Sequence, residues 1–196
     1  SSNLWVNLFI MVLCAPVAEE LIFRKLLIDR LAQYGEGVAV LFSGLMFGLF
    51  HGNLNQFVYA FVLGLCFGFI YVKTGNIRYT IGLHMLVNFL GSVLGVAILK
   101  WLGDDFLSIA SDPAGMMSYM TGNFGKLIVY FIYIFLLLGV AIAGIILFIV
   151  NLKKIRFLPG MNTLPKGKRF STTVLNVGMA LYMIVWIVII IVQLFQ

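Results

Sequence analysis

Apolar residues along this chain fall in long runs, and polar residues gather at a few breaks between them. Read by run length and helical periodicity, the pattern predicts about six helices. They run from Leu4 to about Leu31, Val38 to His51, Gln56 to Val72, Tyr79 to Leu99, Leu127 to Val150, and Val174 to Leu194. Tyr34-Gly35-Glu36-Gly37, Gly52-Asn53 and Thr74-Gly75-Asn76 supply the turn signals between the first four. A polar stretch, Trp101–Asn123, and a basic one, Lys153–Arg169, separate the later helices. Several runs reach the roughly 20 residues that a hydrocarbon core demands. The expected fold class is therefore all-α, a polytopic membrane bundle. The second helix is short, about 14 residues or roughly 21 Å of rise. It is expected to end inside the membrane, with Gly52–Asn55 as a link buried in protein or lining a cavity.

Composition strengthens this picture. Of 196 residues, 62% are hydrophobic and only 10% charged, and the mean hydropathy is +1.09; soluble domains carry about a quarter charged residues. The net charge of +6 does not point to nucleic acid, because the basic residues sit between apolar runs and no basic-aromatic pattern accompanies them. Placing Lys153–Arg169 in the cytoplasm puts the Lys73/Arg78 and Arg24–Arg30 regions on the same side and the acidic Trp101–Asn123 stretch outside, as the positive-inside rule asks. Cys14 and Cys66 both lie in apolar runs and are expected to be buried, unpaired thiols. The chain starts Ser-Ser-Asn without methionine, and reads as a trimmed or processed piece with upstream helices missing. Residues 1–100 are expected to form a four-helix core. Residues 101–196 would add an extracytoplasmic loop, the basic cytoplasmic loop and two further spans of the same membrane domain.

Against this background a few ionisable residues stand out, since charges inside spans are costly and by default functional. Glu20 and Arg24 are four apart and share a helix face, so they can pair. Adjacent Glu19 is turned by about 100° and can face something else. His51 closes the second helix. Glu19 and His51 each lie sixteen residues from Gly35, so an antiparallel hairpin places both about 22–24 Å from the turn, where a carboxylate and an imidazole could share one water. His84 and Asn88, four apart on the fourth helix, could donate two hydrogen bonds to an oxyanion or simply join helices. Glycines repeat at four-residue spacing at Gly44/Gly48/Gly52, Gly64/Gly68 and Gly91/Gly95, which allows close helix packing. Ser43 lies roughly 12 Å from His51 along its own helix, too far for a dyad. No HExxH motif is present.

Taken in order, Glu19-Glu20-x-x-x-Arg24, Phe47-x-x-x-His51 and His84-x-x-x-Asn88 on successive apolar helices resemble the CPBP family. These are the CAAX-processing and bacteriocin-processing, Abi-type membrane proteases, including Rce1-like endopeptidases. The likeness covers about Pro16 to Asn88; Lys25 departs from the glycine that many members carry. It implies an intramembrane endopeptidase of a bacterial cell membrane, acting on a membrane-associated protein or peptide substrate. Glu19 and His51 would activate water, His84 and Asn88 would stabilise the oxyanion, and Glu20 and Arg24, with Phe47, would organise the site. The favoured mechanism needs no cofactor. If zinc served instead, its ligands would be Glu19 or Glu20, His51 and His84. Two other readings remain open at this point: a non-catalytic membrane regulator or immunity-type protein that retains the motif, and a proton-coupled transporter.

Overall fold

The computed structural model describes residues 4–162, 165, 168, 172 and 176–195. All regular structure among them is helical. A first helical stretch, α1, occupies residues 4–31 and is wound unevenly: α-helical at Ala15–Glu20 and Leu27–Leu31, π-helical at Asn7–Cys14 and Leu21–Leu26. It is followed by α2 (Glu36–Phe50), α3 (Leu54–Thr74) and α4 (Ile77–Leu102, with a π-helical stretch at Phe89–Gly95). Then come a short α5 (Phe106–Ala110), the long α6 (Pro113–Asn151) and α7 (Val177–Leu194). Among the described residues four helices are long and apolar enough to cross a membrane: α3, α4, α6 with its trailing turn, and α7. The chain is an all-α integral membrane protein, and α1 and the 15-residue α2 occupy the first two expected helical positions.

Local sequence explains most boundaries. The Asn53 side chain accepts hydrogen bonds from the amides of Asn55 and Gln56 and so caps α3, leaving an α2–α3 link of three residues, 51–53. Gly52 is buried in that link at φ +63°, while Asn55 is exposed, so only the first part of the expected buried segment is buried. The polar stretch expected over Trp101–Asn123 is partly helical. Asp112 accepts from the amides of Ala114 and Gly115 and Pro113 occupies the first turn; together they start a helix well before its apolar run. The backbone leaves helical values at Asn123 (φ −128°, ψ 24°), which kinks α6 where the polar part meets the apolar part. Both cysteines are free but exposed on the helix surfaces, contrary to the burial expected of them: run hydropathy cannot tell a lipid-facing position from a packed one.

The chain packs as two compact units. One comprises Ser1–Leu13 and Met85–Arg156. In it Leu102, Phe106 and Leu127 form a core flanked by Tyr119 and Tyr130. Tyr119 donates to the Leu102 carbonyl and Tyr133 to that of Leu90. Gly95 lies against the Tyr133 hydroxyl, whereas nothing approaches Gly91.

The other unit comprises Cys14–His84 and Phe157–Gln196. Its centre is the α2–α3 hairpin, where the glycine spacing brings backbones together: a Cβ on Gly64 would lie 2.8 Å from the Gly44 Cα. That clash is with backbone and cannot be relieved by a rotamer change. Gly64→Val is therefore expected to destabilise the unit by about 1–3 kcal/mol, read as a lowered thermal midpoint of the detergent-purified protein; an unchanged midpoint would contradict this packing. Ser43, buried on α2, donates to the Phe23 carbonyl at 2.7 Å, tying the hairpin to the π-helical part of α1. A segment at Phe157–Asn162 clasps the α1–α2 turn. Glu36 N–H donates to the Leu158 carbonyl, Leu158 N–H returns a bond to the Glu36 carboxylate, and Asn162 bonds Gln33 through both backbone and side chain. Lys73 pairs with the same carboxylate. Finally α7 lies on α2: Tyr182 donates to the Met46 carbonyl, and Trp186 packs edge-on to Phe50 and against Gly52.

Candidate active site

Every charged group singled out in α1 meets a partner inside the second unit. Glu20 and Arg24 are both fully buried, and the Arg24 Nε lies 2.9 Å from Glu20 Oε2. The four-residue spacing thus yields the expected ion pair, although α1 is π-helical from Leu21 onward. The other oxygen of Glu20, Oε1, lies 3.0 Å from His84 Nδ1. A carboxylate there accepts only, so the Nδ1 proton points at Glu20. Glu20 is thereby committed on both oxygens.

Glu19 is placed differently. Its side chain is 17% exposed, and its Oε2 lies 3.8 Å from His84 Nε2, beyond hydrogen-bond range. That oxygen is buried and makes no hydrogen bond among the described residues. The two neighbouring carboxylates therefore face the two nitrogens of one imidazole, one bonded and one not. This connection of His84 to both glutamates was not legible in the spacing, which linked His84 only to Asn88.

His51, half-buried at the end of α2, has its Nδ1 2.8 Å from the Phe47 carbonyl. A carbonyl can only accept, so Nδ1 carries the proton and Nε2 is left with its lone pair. The imidazole lies within electrostatic range of the Glu19 carboxylate. Phe47, 2% exposed, ties these groups together: its ring centroid lies 4.9 Å from that of His51 and 5.5 Å from that of His84, and the Arg24 guanidinium carbon stands 4.6 Å above it. A second ring, Phe67 of α3, contacts Arg24 and His84 as well; nothing in the sequence marked it, since it is one of 18 phenylalanines in an apolar chain. Asn88, one turn beyond His84 on α4, belongs to the other compact unit, where its amide donates to the Met11 carbonyl at 2.7 Å.

Among the described residues no group of three or more His, Cys, Asp or Glu side chains is disposed to hold a metal ion. The zinc alternative would draw on Glu19 and the Nε2 atoms of His51 and His84, since Nδ1 of His51 lies on the Phe47 carbonyl and Nδ1 of His84 on Glu20.

Comparison with known proteins agrees with the motif resemblance. Residues 1–90 match the family model described as type II CAAX prenyl endopeptidase Rce1-like. The Bacillus subtilis (strain 168) protein named "Putative membrane peptidase YdiL" is 33% identical over 74 residues, which is 37% of this chain and 30% of that protein. The match thus spans less than a third of that relative's length. No solved structure matches. Over residues 1–90, in motifs and in this match together, the chain is similar to the Rce1-like family of CPBP membrane proteins.

Proposed function

We propose that this chain is an intramembrane endopeptidase that hydrolyses a peptide bond in a membrane-associated protein or peptide by a glutamate-type mechanism. One observation carries the reading: of two adjacent carboxylates, Glu20 is ion-paired to Arg24 at 2.9 Å and hydrogen-bonded to His84, while the buried Oε2 of Glu19 makes no hydrogen bond and meets His84 Nε2 only at 3.8 Å. An unengaged carboxylate beside two imidazoles is what a general base requires. The scissile peptide, not zinc, is the electrophile these residues are proposed to meet.

In the proposed step Glu19 accepts a proton from a water molecule, whose second proton is held by the bare Nε2 of His51. The water oxygen adds to the peptide carbonyl carbon and the C=O electron pair moves onto oxygen. His84, when protonated, donates from Nε2 to that oxyanion while its Nδ1–H stays on Glu20. Collapse re-forms the C=O, breaks the C–N bond, and returns the proton from Glu19 to the leaving amine. Electrostatic stabilisation of this kind is commonly the largest contribution to acyl-transfer catalysis.

The test is hydrolysis of a fluorogenic peptide library by the purified protein in lipid nanodiscs, with a chelator series. Cleavage is expected to persist, changing less than about twofold after chelator and dialysis. A catalytic zinc would instead give loss on chelation and recovery on zinc addition, in line with metal generation of the nucleophile. Absence of any cleavage, together with function retained in cells by a Glu19→Ala/His51→Ala double variant, would favour the regulator reading.

A further inference from the structure

We propose that Phe67 is a positioning residue for this site, holding Arg24 and His84 in register through its ring; the inference rests on the catalytic reading above. Phe67 is 3% exposed and lies on α3, a helix that offers no polar residue to the site. Its ring centroid is 5.6 Å from that of His84, at an interplanar angle of 38°. The Arg24 guanidinium carbon also lies 5.6 Å from that centroid. Phe47 contacts the same two groups, so both the cation and the imidazole rest on both rings.

The contact with Arg24 has particular weight because of what the guanidinium lacks. Its side chain is fully buried, and Nε, Nη1 and Nη2 have no hydrogen-bond partner among the described residues, Nε being held only by its ion pair with Glu20. Apart from Glu20, the surroundings shown for its charge are the faces of Phe47 and Phe67, an attractive setting for a desolvated cation. Orientation then passes along a short chain: the rings fix Arg24, Arg24 fixes Glu20 at 2.9 Å, and Glu20 fixes the Nδ1 side of His84 at 3.0 Å. Phe67 touches none of the proposed reacting atoms.

Glycine packing explains how a ring on α3 reaches α1 and α4. Gly64 and Gly68 flank Phe67. A Cβ on the first would meet the Gly44 backbone, and one on the second would lie 3.4 Å from Ile28 and Val40 side chains. The small-residue stripe thus brings α3 close enough to α1 and α2 for the ring between its two glycines to reach the ion pair.

The experiment compares wild type with Phe67→Leu, Phe67→Met and Phe67→Tyr in nanodiscs, using peptide cleavage and NMR of selectively labelled histidine. With only two histidines in the chain, a His51→Ala spectrum assigns the signals. Phe67→Leu and Phe67→Met are expected to lower kcat about tenfold with KM nearly unchanged, the scale that one desolvated cation–π contact supplies. Both should also speed solvent exchange of the His84 Nδ1–H proton, while Phe67→Tyr, which keeps the ring, stays close to wild type. Methionine fills the space without a ring. Wild-type kcat and exchange in a folded Phe67→Met would therefore overturn the proposal and leave Phe67 as packing. If Phe67→Leu fails to fold, Phe67→Met decides. Should the wild type cleave nothing, the catalytic reading fails, and the His84 exchange rate still decides whether Phe67 positions the imidazole.

Discussion

Glu19→Gln is expected to lower peptide cleavage by about 10²–10⁴, the range a positioned general base supplies, and to leave the fold intact. The substitution keeps the size and shape of the side chain and removes only the capacity to take a proton. Glu19 contributes only a long contact to the packing, meeting His84 Nε2 at 3.8 Å where Glu20 bonds the other nitrogen of that ring at 3.0 Å. Thermal midpoint and detergent elution profile should therefore match wild type. Glu20→Gln is the instructive contrast, because its carboxylate is ion-paired to Arg24 and accepts from His84, and losing that charge should reduce stability and activity together. A folded Glu19→Gln protein with cleavage within tenfold of wild type would sink the assignment of the base.

Arg24→Met should produce the largest stability loss of any single change in the site, about 3–5 kcal/mol. Both side chains of the Glu20–Arg24 pair are 0% exposed, so removing the cation strands a carboxylate away from water. Lysine would not substitute well, since a flexible point charge cannot reproduce the planar guanidinium that lies on Phe47 and Phe67. The Glu20→Gln/Arg24→Met double variant should recover much of the lost stability, because a buried pair removed together costs far less than one broken. It should stay inactive. Denaturation in a mixed-micelle titration checks all three; a single Arg24→Met variant as stable as wild type would show that the pair is not isolated from water.

Several of these features were legible in the sequence for definite reasons. The Glu20–Arg24 pair follows from helix periodicity, which survives the local π-winding. The shared neighbourhood of Glu19 and His51 follows from their equal distance from Gly35. The close approach of α2 and α3 follows from glycines four apart. Other features left no trace. Phe67 is indistinguishable from any apolar phenylalanine until the fold shows which face of α3 it occupies. The bond from His84 to Glu20 joins residues 64 apart in sequence, a distance no periodicity spans. The early start of α6 rests on the cap at Asp112-Pro113, a local signal that a reading by apolar run length does not register. Membrane hydropathy also misjudges burial, as Cys14 and Cys66 show, because lipid-facing and packed positions are equally apolar.

The clasp at the α1–α2 turn has a consequence for biosynthesis. The Leu158–Glu36 bond joins residues 122 apart and the Tyr182–Met46 bond residues 136 apart. During translation the helices bearing both glutamates and both histidines leave the ribosome long before the segment that straps their turn and the helix that lies on α2. The unit carrying the site therefore reaches its final packing only as the last described helix is delivered, and closing so large a loop slows that last step. Until then the nascent chain holds every acid–base group of the proposed site within an unfinished wall.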